Sequence, residues 1–211
     1  MSQYNILICG VGGTGVIGLG ELLRKASILE GGIVLGTESR GSGQRGGPAV
    51  ASVRYSVPDE NEVYDDRTAL WSGSVGIGSA DLMIATEAAE ALRNAHYLSE
   101  RSQVILNAFT LRPTQTRQEM KEQALKYPSI EEVVAKLHQL TPHVYVANAS
   151  EMSMKHFGAY LTTNPILVGL ALALGLLPLK KDTVKGLLRG DAKDALELGF
   201  KSKVTRNVSK V

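Results

Sequence analysis

Residues 6–15 of this 211-residue chain read Ile6-Leu7-Ile8-Cys9-Gly10-Val11-Gly12-Gly13-Thr14-Gly15. The apolar run predicts a buried parallel strand, and the glycines predict a tight turn into a helix. Such a turn presents backbone N–H groups at a helix N-terminus, where an anion is favoured. The glycine spacing therefore leaves two interpretations open: a dinucleotide site, or a turn that only permits close packing.

A second glycine cluster reads Gly41-Ser42-Gly43-Gln44-Arg45-Gly46-Gly47-Pro48. It has almost no apolar content and predicts a loop. An ordinary dinucleotide-binding domain has no counterpart of this loop. The two clusters together therefore point to something other than a plain nucleotide-binding protein.

Apolar segments and helical spacing alternate over the first two thirds of the chain. This alternation predicts an α/β fold, a three-layer α/β/α Rossmann-like sheet that is mostly parallel, with a C-terminal helical extension. We expect a single domain over 1–211, with the α/β core at 1–148 and the helical part at 149–211. The predicted strands cover residues 4–9, 33–37, 49–57, 82–85, 104–106 and 144–146.

Four residues carry local expectations about packing and capping. Gly18 and Gly20 lie inside the first predicted helix, where glycine lowers helix propensity, and close packing on the sheet would explain them. Asn164 directly precedes Pro165, which predicts that Asn164 caps the next helix. The lone Cys9 is predicted to be a small buried apolar residue.

Composition excludes several classes of function. The formal net charge of +2 predicts no nucleic-acid or membrane partner, although the basic tail after Leu179 is either a solvated helix face or a docking surface for an acidic partner. One cysteine cannot hold an iron–sulfur cluster, and scattered histidines predict no metal site. Without disulfides or an apolar signal segment after Met1, the chain is expected to be cytoplasmic.

Polar residues follow three predicted strands, at the edge where open α/β sheets bind ligands. Glu38 stands roughly where a ribose-binding acid is expected after the first glycine cluster. Glu87 and Asn107 follow the strands at 82–85 and 104–106. The simpler interpretations are a helix start for Glu87 and a turn for Asn107.

Arg45 is the strongest candidate for a functional side chain. Its guanidinium offers a planar set of donors to a carboxylate or phosphate, and the glycines around it let the backbone approach a ligand or subunit closely. In one hypothesis Gln44 and Arg45 project toward the substrate side of a subunit interface. In the other, Arg45 pairs internally with Glu38 or Glu87.

With these stretches together, the chain resembles the gamma subunit, or corresponding domain, of the 2-oxoacid:ferredoxin (acceptor) oxidoreductases. Within that family it is most similar to the indolepyruvate ferredoxin oxidoreductase beta subunits. The Gln44-Arg45-Gly46-Gly47 element is the specific part, whereas the first glycine cluster alone is weak. The resemblance spans nearly the full chain and is carried by residues 10–16, 43–48, 81–93 and 104–107.

The resemblance implies a non-autonomous oxidoreductase subunit that is inactive alone. Such enzymes decarboxylate a 2-oxoacid on thiamine diphosphate, pass electrons through iron–sulfur clusters to ferredoxin, and release an acyl-CoA. Thiamine diphosphate, Mg and the clusters are expected in a partner subunit of the same complex. Ferredoxin is expected to be an indirect partner of this chain, and CoA is the expected co-substrate. Indolepyruvate or another arylpyruvate is the expected substrate.

The candidate site residues are expected to flank the active site or form an interface, and the resemblance implies that no complete catalytic set lies in this chain. They are Gln44, Arg45, Gly46, Gly47, Glu38, Glu87 and Asn107, with the glycine loop Gly10, Gly12, Gly13, Thr14 and Gly15. The family commonly has Gln at the position of Thr14, whose hydroxyl is shorter, so a contact made by that Gln does not transfer directly. The alternative function is a free-standing NAD(P)- or flavin-binding Rossmann reductase.

Overall fold

The computed structural model describes residues 2–41, 46–57, 70–111 and 126–202. The strands of this part are β1 (Ser2–Val11), β2 (Ile33–Arg40), β3 (Pro48–Val57), β4 (Leu82–Ala85), β5 (Gln103–Asn107) and β6 (Val144–Ala147). Its helices are α1 (Val16–Leu29), α2 (Ala88–Arg93), α3 (Ile130–Leu137), α4 (Ala149–Phe157), α5 (Thr163–Ala173), α6 (Lys181–Leu187) and α7 (Asp191–Lys201). Short 3-10 turns cover Ala95–Tyr97 and Tyr160–Thr162.

The strands form one mixed sheet in the order β2-β3-β1-β4-β5-β6. β1, β4, β5 and β6 are paired in parallel, and β3 runs antiparallel to both of its neighbours. The predicted α/β fold with a mostly parallel sheet is confirmed. All six predicted strands are present, most of them longer at their ends than the apolar runs alone indicated.

β3 lies between β1 and β2, where a standard mononucleotide-binding unit has two adjacent parallel strands. β2 and β3 form a hairpin in which Arg40 is opposite Ala49. β3 then runs back along β1, from Pro48 opposite Val11 to Val57 opposite Ser2. This register brings Gly41, Gly46 and Gly47 to the carboxyl end of β1, where the first glycine cluster begins.

Helices cover both faces of the sheet, because alternate strand residues point to opposite sides. Ile6 and Ile8 of β1 face a layer made of α1 and the helices after β6. Leu7 and Cys9 face a second layer made of α2 and α3, and Cys9 is fully buried as predicted. None of the described helices combines the length and the hydropathy that crossing a bilayer requires.

α5 and α7 pack with their backbones in direct contact. A Cβ atom added at Gly199 would overlap the carbonyl oxygen of Ile166, and one added at Gly169 would overlap the carbonyl oxygen of Leu196. Each helix therefore uses a glycine to admit the backbone of the other. α5 is buried along almost its whole length and completes the first layer over β1.

Two of the local expectations were wrong. A Cβ at Gly20 would lie 3.0 Å from the Cβ of Ala51, so Gly20 does allow close packing, but at Gly18 none of the described atoms would lie within 4 Å. Asn164 does not cap its helix, because the preceding 3-10 turn lets α5 begin at Thr163, two residues before the predicted start at Pro165. Its side-chain amide instead donates to the carbonyl of Thr14, 2.9 Å away.

Candidate functional site

The two glycine clusters meet and are joined by backbone hydrogen bonds. The N–H of Gly12 donates to the carbonyl of Gly47 at 2.6 Å, and the N–H of Gly46 donates to the carbonyl of Gly12 at 3.2 Å. We call this contact between residues 10–15 and 46–47 the glycine crossing. The sequence placed both clusters in loops, but only the pairing of β3 with β1 brings them together.

The hydroxyl groups of Thr14 and Thr86 support the first glycine cluster. Thr14 Oγ1 donates to the carbonyl of Val11 at 2.8 Å and lies 2.9 Å from Thr86 Oγ1. A Cβ at Gly10 would overlap Thr86 Oγ1, so glycine is needed there for the hydroxyl to fit. In this chain the residue at the family's Gln position therefore bonds inward, and its side chain supports the turn.

A cavity of about 200 Å³ opens where α1 begins. Gly15 precedes α1 without a side-chain cap, and the first helical hydrogen bond is the one from the N–H of Leu19 to the Gly15 carbonyl. The N–H groups before Leu19 therefore point out of the helix end, where an anion is favoured. Arg40 of β2 lines the same cavity and brings a positive charge to it.

A larger cavity of about 420 Å³ lies on the other side of the start of α1. It is bounded by α1, the first turn of α5 and the end of α6, and its lining is mostly apolar. Leu161 stands on its rim and is 90% exposed. Gly18 lines both cavities, so a side chain at this position would project into the space between the two openings.

We expect Gly18→Ala to raise the free energy of unfolding by about 0.5–1 kcal/mol, because alanine suits a helix interior better than glycine. Nothing among the described residues stands within 4 Å of the added methyl group, so no clash opposes this gain. Urea unfolding of the full chain measures it. A loss of stability would mean that the methyl group meets an atom outside the described residues.

Glu38 lies away from the place that a ribose-binding acid would need. It belongs to the edge strand β2, and β3 separates that strand from β1 and its glycine turn. Its carboxylate pairs with Arg24 at 2.6 Å and with Arg40 at 3.3 Å. The hydrogen bond from Arg24, together with Arg40, lowers the pKa of Glu38, so the carboxylate stays charged and holds Arg40 near the smaller cavity.

Glu87 is fully buried at the end of β4 and begins α2. Its carboxylate accepts the N–H of Glu90 at 3.0 Å and the hydroxyl of Tyr127 at 2.9 Å. Burial raises its pKa, although these donors act in the opposite direction. The geometry matches the simpler interpretation, a residue that starts a helix behind the glycine crossing.

Asn107 is fully buried as well, and its side chain joins three elements. Its amide donates to the carbonyl of Thr86 at 3.0 Å and to Ser150 Oγ at 2.8 Å. Its oxygen accepts the N–H of Ser150 at 3.2 Å. Asn107 therefore links the carboxyl ends of β4 and β5 to the start of α4. All of these hydrogen bonds are made to other residues of this chain.

Gln44 and Arg45 lie outside the described residues, so both hypotheses about Arg45 remain predictions. The two acids named as its internal partners already have other partners: Glu38 binds Arg24 and Arg40, and Glu87 binds Tyr127. The flanking Gly46 and Gly47 are described and lie in the glycine crossing.

Glu90 was not singled out from the sequence as a site residue. It is fully buried, and one carboxylate oxygen pairs with Arg93 at 3.1 Å. Its other oxygen, Oε2, has no hydrogen-bond partner in the part of the chain that the structure describes. Burial raises the pKa of Glu90.

The thiol of Cys9 lies near Glu90 and Glu87. Its burial, together with these nearby carboxylates, raises the pKa of the thiol. Cys9 therefore stays protonated and is no nucleophile.

We expect Glu90→Gln to stabilise the chain by about 1–3 kcal/mol at pH 7, because it removes a buried charge with an unpaired oxygen. A folded-state pKa above 4.5 means that the folded chain binds the extra proton more tightly. The stability from Glu90 is therefore complete below pH 4.5 and is lost as pH rises through the folded-state pKa. Thermal unfolding between pH 4.5 and 8 should show a smaller loss in the variant, and equal slopes would contradict this expectation.

Residues 5–208 match the protein family described as pyruvate ferredoxin/flavodoxin oxidoreductase. Indolepyruvate oxidoreductase subunit IorB from Archaeoglobus fulgidus is 32% identical over 217 residues, which cover 99% of this chain and 100% of that protein. Both findings agree with the resemblance predicted from the glycine clusters and residues 81–93.

Solved structures show the same fold at low sequence identity. The gamma subunit of keto/oxoacid ferredoxin oxidoreductase from Geobacter sulfurreducens is 17% identical with a TM-score of 0.59, and the match covers 94% of this chain and 96% of that one. 2-Oxoglutarate:ferredoxin oxidoreductase from Magnetococcus marinus, solved with 2-oxoglutarate, coenzyme A and succinyl-CoA bound, is 16% identical with a TM-score of 0.63. The match covers 95% of this chain but 30% of that longer one.

Proposed function

Because this chain belongs to the pyruvate ferredoxin/flavodoxin oxidoreductase family, we propose that it is the non-autonomous subunit of a thiamine-diphosphate-dependent 2-oxoacid:ferredoxin oxidoreductase. The complex converts a 2-oxoacid, CoA and oxidised ferredoxin into an acyl-CoA, CO₂ and reduced ferredoxin. Indolepyruvate or another arylpyruvate is the proposed substrate, on the strength of the relative from Archaeoglobus fulgidus. The chain acts as one domain over 1–211, in the cytoplasm.

The observation that supports this role is the glycine crossing. The hydrogen bonds of Gly46 and Gly47 to Gly12 hold the base of the second loop at the carboxyl edge of the sheet. Gln44 and Arg45 directly precede these glycines in sequence. The role proposed for Arg45 is to bind a carboxylate or phosphate of the 2-oxoacid or of CoA where the partner subunit meets this edge.

The chemistry of decarboxylation and electron transfer belongs to the partner subunit. Thiamine diphosphate with Mg supplies the carbanion chemistry there, and iron–sulfur clusters carry the electrons. This chain has one cysteine, Cys9, and it is fully buried, so the chain does not fit a cluster that needs four thiolates. The role proposed for this chain's own residues, Gln44 and Arg45 above all, is to bind and orient the substrate at the interface.

A free-standing NAD(P)- or flavin-binding reductase is the second candidate. The cavity at the start of α1, with outward N–H groups and Arg40, favours it because a pyrophosphate would fit this chemistry. The position of Glu38 speaks against it, because β3 separates that acid from the glycine turn.

Anaerobic affinity purification of the chain from its own host separates the two candidates. A larger co-purifying subunit that contains thiamine diphosphate, with brown iron–sulfur absorbance at about 400 nm, supports the subunit role. A lone protein that retains a nicotinamide or flavin nucleotide would overturn it. In the purified complex, kcat/KM for indolepyruvate, pyruvate and 2-oxoglutarate tests the proposed substrate. We expect kcat/KM for indolepyruvate to exceed the values for the other two by at least about tenfold.

A further inference from the structure

The side chain of Asn164 reaches the first glycine cluster from the last third of the chain. Its Nδ2 donates to the carbonyl of Thr14 at 2.9 Å, across 150 positions of sequence. The same nitrogen stands 2.6 Å from the place where a Cβ of Gly15 would be. Gly15 has a φ of 81°, in the left-handed region that favours glycine. The turn is therefore shaped to admit this amide.

Thr14 is consequently fixed through three of its atoms. Its hydroxyl bonds to Val11 and lies beside Thr86, its N–H donates to the carbonyl of Val11 at 3.0 Å, and its carbonyl accepts from Asn164. Two residues before Thr14 stands Gly12, which carries both hydrogen bonds of the glycine crossing. The constraint that Asn164 places on Thr14 thus acts on the residue that holds Gly46 and Gly47.

The amide of Asn164 has no role in capping its own helix. Thr162 occupies the cap position of α5, and Asn164 lies in the first turn after it. Asn148 offers a contrast, because it is an asparagine at the start of the neighbouring helix α4 that makes no capping bond with its side chain and is exposed. The donated bond of Asn164 is therefore directed at the glycine turn, and Asn148 supplies a matched control.

We propose that Asn164 is a positioning residue: its amide holds the Thr14 carbonyl so that the glycine crossing keeps the geometry the complex needs. Its effect on turnover rests on the proposed function, whereas its effect on the crossing does not. Asn164→Asp is the informative variant, because it keeps the shape of the side chain but places an oxygen against the Thr14 carbonyl. Asn164→Ala, which only removes the donor, is the second variant.

Hydrogen exchange on the full chain tests the geometric part. In Asn164→Asp, and to a smaller degree in Asn164→Ala, the amides of Gly12 and Gly46 should exchange about tenfold faster than in the unmodified chain. Asn148→Asp should leave them unchanged. Unchanged exchange at Gly12 and Gly46, or faster exchange confined to the amides of α5, would overturn the proposal, because Asn164 would then serve only its own helix.

A double-mutant cycle in the assembled complex tests the functional part. If Asn164 acts through the crossing on Arg45, Asn164→Asp lowers kcat about tenfold but adds no further loss to Arg45→Ala. Losses that multiply would overturn the positioning role. If Arg45→Ala alone leaves turnover unchanged, the proposed function of the loop fails instead, and the exchange of Gly12 and Gly46 still decides the role of Asn164.

Discussion

Gly199→Ala is expected to lower the free energy of unfolding by about 3 kcal/mol, a large share of the 5–15 kcal/mol typical of a domain. The added Cβ would overlap the carbonyl oxygen of Ile166, and its next contacts are other backbone atoms of the same residue. No flexible side chain can move aside there, so α5 and α7 must separate along their length. Because α5 completes the first layer over β1, the separation also loosens the core of the sheet.

Urea unfolding of the full chain measures this loss, and Gly169→Ala should show a similar one, because its Cβ would meet the backbone of α7. Gly18→Ala is the matched control, since it makes the same substitution in a helix where the methyl group has space. Equal midpoints for Gly199→Ala and the unmodified chain would show that the two helices can part at little cost.

Arg45→Ala is expected to reduce turnover of the assembled complex by about 10²- to 10³-fold, the usual effect of removing one charged or polar group that stabilises a reacting anion. Arg45→Lys keeps the charge but loses the planar pair of donors, so it should recover only part of the activity. Steady-state assays with saturating CoA and ferredoxin, on complex purified to constant subunit ratio, measure both variants.

Assembly separates the two hypotheses about this residue. If Arg45 binds substrate, size-exclusion chromatography of Arg45→Ala should show the complex at its normal size. Loss of assembly would contradict that role and favour an internal or purely structural contact. Arg101→Ala is a suitable control for the loss of a positive charge, because Arg101 is exposed and lies in the turn before β5, at the end of that strand away from the glycine crossing.

The strands and the glycine turn could be predicted because their signals are local. Ile6 to Cys9 form a short apolar run, and the glycines from Gly10 to Gly15 that follow it directly favour a buried strand over a helix. The order of strands could not be predicted in the same way. Placing β3 between β1 and β2 depends on which partner the strand at 48–57 finds, and its partial alternation fits an edge or an interior position equally well.

The supports of the site were beyond the sequence for the same reason. In the sequence Thr86 and Asn164 are ordinary polar residues. Only the tertiary fold places the hydroxyl of Thr86 next to Gly10 and the amide of Asn164 next to Thr14. Nothing local marks Glu90 as buried, because the second layer combines α2 with α3 from a distant part of the chain. The prediction of Glu38 as a ribose-binding acid relied on the usual spacing rule, which assumes that the second strand lies beside the first. In this fold β3 lies between them.

The hydrogen bond from Asn164 to Thr14 also ties the site to the order in which the chain is made. The glycine turn leaves the ribosome 150 residues before its support, a delay of roughly 8–30 s at common rates of synthesis. During that interval the Thr14 carbonyl lacks its hydrogen bond from Asn164, and the face of β1 that α5 later covers lacks this helix. The turn therefore reaches its finished shape only after α5 has been made, and a chain that ends before Asn164 lacks this support.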